Sequence, residues 1–219
     1  MMLAARAETG RSGKSLRQVL KGKSALPASP SGFALVLVGP EGRGKDLLIA
    51  AARRRFASDD RLSFPLRVLT RLPSASDEHL HVSRRVFRDM ERERSFLVSW
   101  FPGDHGFAVP DASRRMLEEG RIVVFSGTPE AADRLAAEGR AVRTVAVNAG
   151  PDWLRGRLAA GVPLPERPVR STANELELNH PGNLAEAVRR FHGLLQNLRD
   201  EVVPAPRNAD ASRGPRHAK

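Results

Sequence analysis

Eight consecutive residues, Gly39-Pro40-Glu41-Gly42-Arg43-Gly44-Lys45-Asp46, carry the most specific chemistry in this sequence. They fit Gly-x4-Gly-Lys, and they sit between the apolar run Phe33–Val38 and a helical pattern running from Lys45 to Phe56. Glycines at these spacings let the backbone curl so that successive N–H groups converge on phosphate oxygens. A helix opening near Lys45 adds the positive end of its dipole, and the lysine ammonium is long enough to reach the β- and γ-phosphates. The pattern points to nucleotide binding. Asp46 stands where the common motif places a Ser or Thr hydroxyl on the metal. A carboxylate there is a candidate Mg²⁺ ligand, directly or through water, although it also repels the phosphates.

Further along the chain, other residues are equipped for phosphate chemistry. Arg71 follows Thr70 at the end of the strand candidate Leu66–Leu69, and a guanidinium fork matches phosphate oxygens. Asp77 and Glu78 follow as two neighbouring carboxylates. His79-Leu80-His81 puts two imidazoles on one face of an extended segment, but with no third ligand at sensible spacing they read as solvated loop histidines. His105, beside Asp104, is equally a substrate contact or an ordinary polar turn.

The elements that must position these residues alternate between strand and helix. Phe33–Val38 is apolar throughout, as expected of a strand buried on both faces. A charged helix is predicted over 82–94, with Ser83 as its N-cap. Phe96–Trp100 and Phe107–Val109 are expected to pair around the loop 101–106. Helices over 113–119 and 129–138 end at Gly120 and Gly139, with strands 121–125 and 142–147 after them. A helix is predicted over 152–160, and Pro163, Pro165 and Pro168 then forbid regular structure. An amphipathic helix, 184–198, closes the pattern, with Asn183 as a candidate N-cap. Strand–helix alternation implies an α/β fold, a parallel sheet flanked by helices.

The chain has 219 residues, no cysteine, no tyrosine and a formal charge of +11. The missing cysteines exclude a disulfide framework, a thiolate metal site and a Cys nucleophile. No apolar run approaches the roughly 18 residues of a membrane span. A charge this high invites a nucleic-acid reading, but its distribution weakens the case. Residues 1–32 hold six basic side chains against one acidic, and 204–219 hold four against one, so only +3 remains between them. Both ends are rich in Ala, Ser, Gly and Pro and read as basic disordered tails, 1–31 and 204–219, around one domain, 32–203. Residues 1–23 lack the apolar region of a secretory signal, and the expected location is cytoplasmic.

Several segments together resemble the ribose 1,5-bisphosphate phosphokinase family of phosphonate catabolism, relatives of guanylate kinase with a P-loop nucleoside-monophosphate-kinase-like fold. They are Gly44-Lys45-Asp46, Thr70-Arg71, Ser99-Trp100 and Val109-Pro110 after His105-Gly106, over roughly residues 33–198. The resemblance implies transfer of the ATP γ-phosphoryl to ribose 1,5-bisphosphate, giving 5-phosphoribosyl 1-diphosphate, with Mg²⁺. Under it, Lys45 and the loop amides hold ATP, and Asn179 and Gly182 flank the adenine. Arg71, Glu78 and His105 would then face the phosphorylated ribose, and Arg155 and Arg157 are candidate lid cations. The chain departs from the family pattern at Phe107-Ala108, where Tyr-Gly is usual, and in a shorter, proline-laden lid holding Arg167 and Arg170. Two alternatives stand beside this reading. One is a nucleotide kinase of the guanylate type. The other is a non-catalytic nucleotide-binding protein whose basic tails engage an acidic partner.

Overall fold

The computed structural model describes residues 32–39, 44–73, 78–149, 175–180 and 184–202. Its first strand, β1 (Phe33–Val38), is buried along its whole length because successive side chains serve opposite faces of a central sheet. Phe33, Leu35 and Leu37 point to one face. There they pack with Leu48, Ile49 and Ala52 of α1 (Gly44–Arg55) and with Phe191, Leu195 and Leu198 of the last helix. Ala34, Val36 and Val38 point to the other, packing with Leu97, Trp100, Val109, Ala131 and Leu135.

In chain order the remaining elements are β2 (Leu62–Ser63), β3 (Val68–Leu69), β4 (Leu80–His81), α2 (Arg84–Arg92), β5 (Phe96–Trp100), β6 (Phe107–Pro110) and α3 (Ala112–Glu118). After these come β7 (Ile122–Ser126), α4 (Pro129–Ala137), β8 (Val142–Ala149), β9 (Glu175–His180) and α5 (Leu184–Glu201). Five strands form a parallel sheet in the order β2-β7-β1-β8-β9. The expected α/β architecture is therefore present.

A second sheet, β4-β3-β6-β5, has antiparallel pairs between β3 and β6 and between β5 and β6. The hairpin of β5 and β6 follows the expected pairing. Strand β3 falls within the strand candidate Leu66–Leu69, but the mixed sheet was not expected, because the two-residue β4 is too short to display a period and the pairing joins segments far apart in the chain. The two sheets meet through aromatic packing. Trp100 of β5 stacks on Phe107 of β6 at 5.9 Å and lies 6.1 Å from Phe125 of β7.

Local signals in the sequence explain most of the helix ends. Ser83 caps α2 by accepting from the Val86 amide, and Thr128 caps α4 by accepting from Ala131. Gly120 and Gly139 follow α3 and α4 with φ of 80° and 76°, a region that suits glycine. The closing helix buries Ala187, Phe191, Leu195 and Leu198 as its periodicity implies, but Leu184 is 41% exposed. The helix predicted over 152–160, the Asn183 cap and both basic tails lie outside the described residues.

In α1 and α5 the packing traps a titratable group. His192 stands edge-on to Phe56 at 5.6 Å, and its Nε2 is buried with no hydrogen-bond partner among the described residues. Burial holds this imidazole below its ordinary pKa, the Arg55 charge adds to that, and a hydrogen bond to the Ala51 backbone opposes it. The unfolded chain thus takes up this proton at a higher pH than the folded one. The stability His192 contributes is complete above about pH 6.5 and is lost as pH falls toward the folded value. The expected result is a falling urea midpoint between about pH 7 and pH 5, and a flatter profile in His192→Phe.

At the exit of β1, Gly39 has φ of 154°, and a Cβ there would lie 2.4 Å from the Val147 carbonyl oxygen of β8. Only a residue without a side chain lets the chain leave β1 so close to its neighbour. Gly39→Ala is expected to lower unfolding stability by about 1–3 kcal/mol, read as a lower urea midpoint at constant m-value.

Candidate active site

Ligands of open α/β sheets bind beyond the carboxyl ends of the strands, where neighbouring strands send their connections in opposite directions. Here that point lies between β1, whose chain leaves toward β2, and β8, whose chain leaves toward β9. Gly39 ends β1 at this position, and α1 begins at Gly44. Lys45 reaches back across the turn, its Nζ donating to the Gly39 carbonyl at 3.1 Å. Space is open where a Gly44 side chain would project. A cation, a helix N-terminus and a close-packed glycine thus converge at one sheet end, an arrangement able to receive phosphate groups. Pro40, Glu41, Gly42 and Arg43 lie outside the described residues.

Asp46 turns toward the sheet. Its Oδ1 accepts from Nη2 of Arg67 at 2.8 Å and from the Ser126 hydroxyl at 2.7 Å. Arg67 precedes β3, and its side chain is only 7% exposed. Its Nη1 donates to the Ser126 carbonyl at 3.1 Å, Nη2 also lies 2.8 Å from Nε2 of His79, and the guanidinium stands 5.8 Å from the Phe107 ring centre. Neither Arg67 nor Ser126 was singled out from the sequence. A usable signal existed, since Arg67 is the one charge inside the apolar run Leu66–Leu69. Its partners are distant in the chain, so nothing local identified them.

Arg71 lies on a segment that the fold holds at several points. The Thr70 amide donates to the Gly106 carbonyl at 3.0 Å, and the Gly106 amide donates to the Thr70 hydroxyl at 2.8 Å. Two sequence segments singled out separately, Thr70-Arg71 and His105-Gly106, thus meet. Nδ1 of His81 bonds the Arg71 carbonyl at 2.8 Å. A carbonyl only accepts, so this ring nitrogen carries the proton. The Arg71 side chain itself donates to the Leu72 carbonyl at 3.3 Å.

Glu78, expected to face the phosphorylated ribose, forms an ion pair with Arg53 of α1 at 2.6 Å. His105 is exposed on the loop between β5 and β6, one residue before Gly106. The reading of His79 and His81 as solvated loop groups is corrected: both are partly buried, one against Arg67 and one against the Arg71 backbone. Among the described residues no three His, Asp or Glu side chains are grouped to hold a metal ion.

In backbone register, Asn179 pairs with Asn148 near the carboxyl end of β9, the same end of the sheet as Lys45. Asp77, Arg155, Arg157 and Gly182 lie outside the described residues.

No protein-family model matches the chain. Among curated proteins, it is 35% identical to the ribose 1,5-bisphosphate phosphokinase PhnN of Methylobacterium radiotolerans over 129 residues, 59% of this chain and 73% of that one. It is 33% identical to the Rhizobium etli protein of the same name over 183 residues, 78% of this chain and 93% of that one. Among solved structures, guanylate kinase from Anaplasma phagocytophilum superposes with a TM-score of 0.53 at 13% identity, covering 77% of this chain and 87% of that one, a likeness of fold. The Gly44-Lys45-Asp46 loop, the parallel sheet and these identities agree: the chain belongs to the family of the PhnN ribose 1,5-bisphosphate phosphokinases, on a guanylate-kinase-like P-loop fold.

Proposed function

We propose that the protein transfers the γ-phosphoryl group of ATP to ribose 1,5-bisphosphate, giving 5-phosphoribosyl 1-diphosphate and ADP. The observation that carries this reading is the meeting, at one end of the parallel sheet, of the Lys45 loop and the segment bearing Arg71, tied together through Asp46, Arg67 and His79. Family membership supports it independently.

The reaction makes few covalent demands on the protein. An oxygen of the acceptor's 1-phosphate attacks the γ-phosphorus, the bond to the β-phosphate oxygen breaks, and ADP leaves. That oxygen is already deprotonated near neutral pH, so no general base is required. What the protein must supply is position and positive charge. Lys45 would offset charge on the β- and γ-phosphates. Arg71 would turn from its Leu72 carbonyl to grip an acceptor phosphate, a stronger partner for a guanidinium. Arg155 and Arg157 are proposed to supply further cations from the lid. Mg²⁺ accompanying ATP supplies additional neutralisation. Asp46 already shares Oδ1 between two donors.

Purified protein with Mg-ATP is expected to form ADP on addition of ribose 1,5-bisphosphate and not on addition of GMP. ADP formation with GMP alone would replace this reading with a guanylate-type kinase. Lys45→Ala is expected to lower kcat/KM by about 10²–10³-fold, the usual loss for one preorganised charge donor. Arg71→Ala is expected to raise the acceptor KM by about 10–100-fold while leaving the ATP KM nearly unchanged, corresponding to one charged hydrogen-bond pair.

A further inference from the structure

Arg67 is almost fully buried, and its partners come from parts of the chain that are far apart in sequence. A buried guanidinium is tolerated only when its donors are matched, so whatever matches them is held in place by the same requirement. One partner, the Ser126 carbonyl, ends β7. Another, Asp46, is the residue after Lys45, so it moves with the start of α1. A third, His79, belongs to the segment that carries Arg71 and Glu78. The Ser126 hydroxyl on Asp46 closes the loop between β7 and α1.

The chemistry of His79 sharpens this. Arg67 meets both ring nitrogens of His79, its Nη2 2.8 Å from Nε2 and its amide donating to Nδ1 at 3.3 Å. Both groups only donate and a neutral imidazole has one bare nitrogen, so the ring accepts from one of them at a time. The Arg53–Glu78 pair adds a second, more exposed link between α1 and the same segment.

We propose that Asp46, Arg67 and His79 form a strut that registers the Arg71-bearing segment against the phosphate loop, with Arg67 a positioning residue for the phosphoryl acceptor and Asp46 its anchor instead of a direct metal ligand. The acceptor half of this statement rests on the function proposed above. Carboxylate in place of the usual hydroxyl after the loop lysine is explained by its partner: a buried cation needs a counter-charge, which Ser or Thr does not provide. Nucleotide binding that shifts the start of α1 is transmitted through Asp46 and Arg67 to His79.

The test reads backbone amide exchange in the full chain with and without Mg-AMP-PNP, alongside steady-state kinetics, in wild type, Asp46→Ser, His79→Phe and His79→Gln. The reporters are the amides of Thr70, Leu80 and Val82, each bonded within or beside this segment. Wild type is expected to show slower exchange at these amides when nucleotide is bound. Asp46→Ser and His79→Phe are expected to exchange about tenfold faster there, to lose the nucleotide response, and to leave α4 and α5 unchanged. Their acceptor KM is expected to rise about tenfold, with the ATP KM and the Mg²⁺ half-saturation within about threefold of wild type. His79→Gln, whose amide oxygen can accept from Arg67, is expected to restore both readouts.

Three results would overturn the proposal. One is a nucleotide response that is absent in wild type or intact in His79→Phe. Another is faster exchange throughout α4 and α5, which marks a purely structural role. The third is a raised Mg²⁺ half-saturation in Asp46→Ser with unchanged exchange near Arg71. If wild type fails to phosphorylate ribose 1,5-bisphosphate, the proposed function falls, while amide exchange still decides the strut.

Discussion

The need to satisfy one buried cation organises this end of the molecule. A guanidinium withdrawn from water must find acceptors for its N–H groups, and the shortfall is costly if any partner is absent. Arg67 meets this need with a main-chain carbonyl, a carboxylate, an imidazole and an aromatic face. Those four groups belong to β7, α1, the segment ahead of β4, and β6. Satisfying Arg67 therefore adds directional bonds to the aromatic contacts that join the mixed sheet to the parallel one.

The same arrangement resolves the electrostatic oddity of a carboxylate beside a phosphate-binding loop. An unpaired Asp46 would repel a triphosphate. Paired with Arg67 and bonded by Ser126, its charge is compensated toward the sheet, while Lys45 stays directed at the loop. The ordering of charge at the site is thus cation toward the ligand and ion pair behind it. This order suits a reaction in which most of the work is neutralising developing charge.

Much of the scaffold was legible before the structure, for reasons tied to particular residues. The unbroken apolar run Phe33–Val38 reads as a strand covered on both faces, and the hydrophobic cluster on each face of the parallel sheet includes its side chains. Ser83, Gly120 and Gly139 mark helix ends because capping and left-handed turns are decided within a few residues. The mixed sheet was not legible. Its strand β3 lies within the candidate Leu66–Leu69, but β4 is two residues long and pairs with β3, which in turn pairs with the distant β6, so no local pattern shows the sheet.

The amino-acid sequence alone determined the alternation of the longer strands and helices, the position of the phosphate-binding loop and the family, since each depends on contiguous residues or on their spacing, but not β2, β4 or β9. Only the tertiary structure decided what Asp46, Glu78, His79 and His81 do. Their partners, Arg67 with Ser126, Arg53, Arg67 again and the Arg71 carbonyl, lie between 10 and 80 positions away. A side chain's charge or hydrogen-bonding capacity is written in the sequence. Which group satisfies it is settled by burial, and burial is a property of the packed molecule.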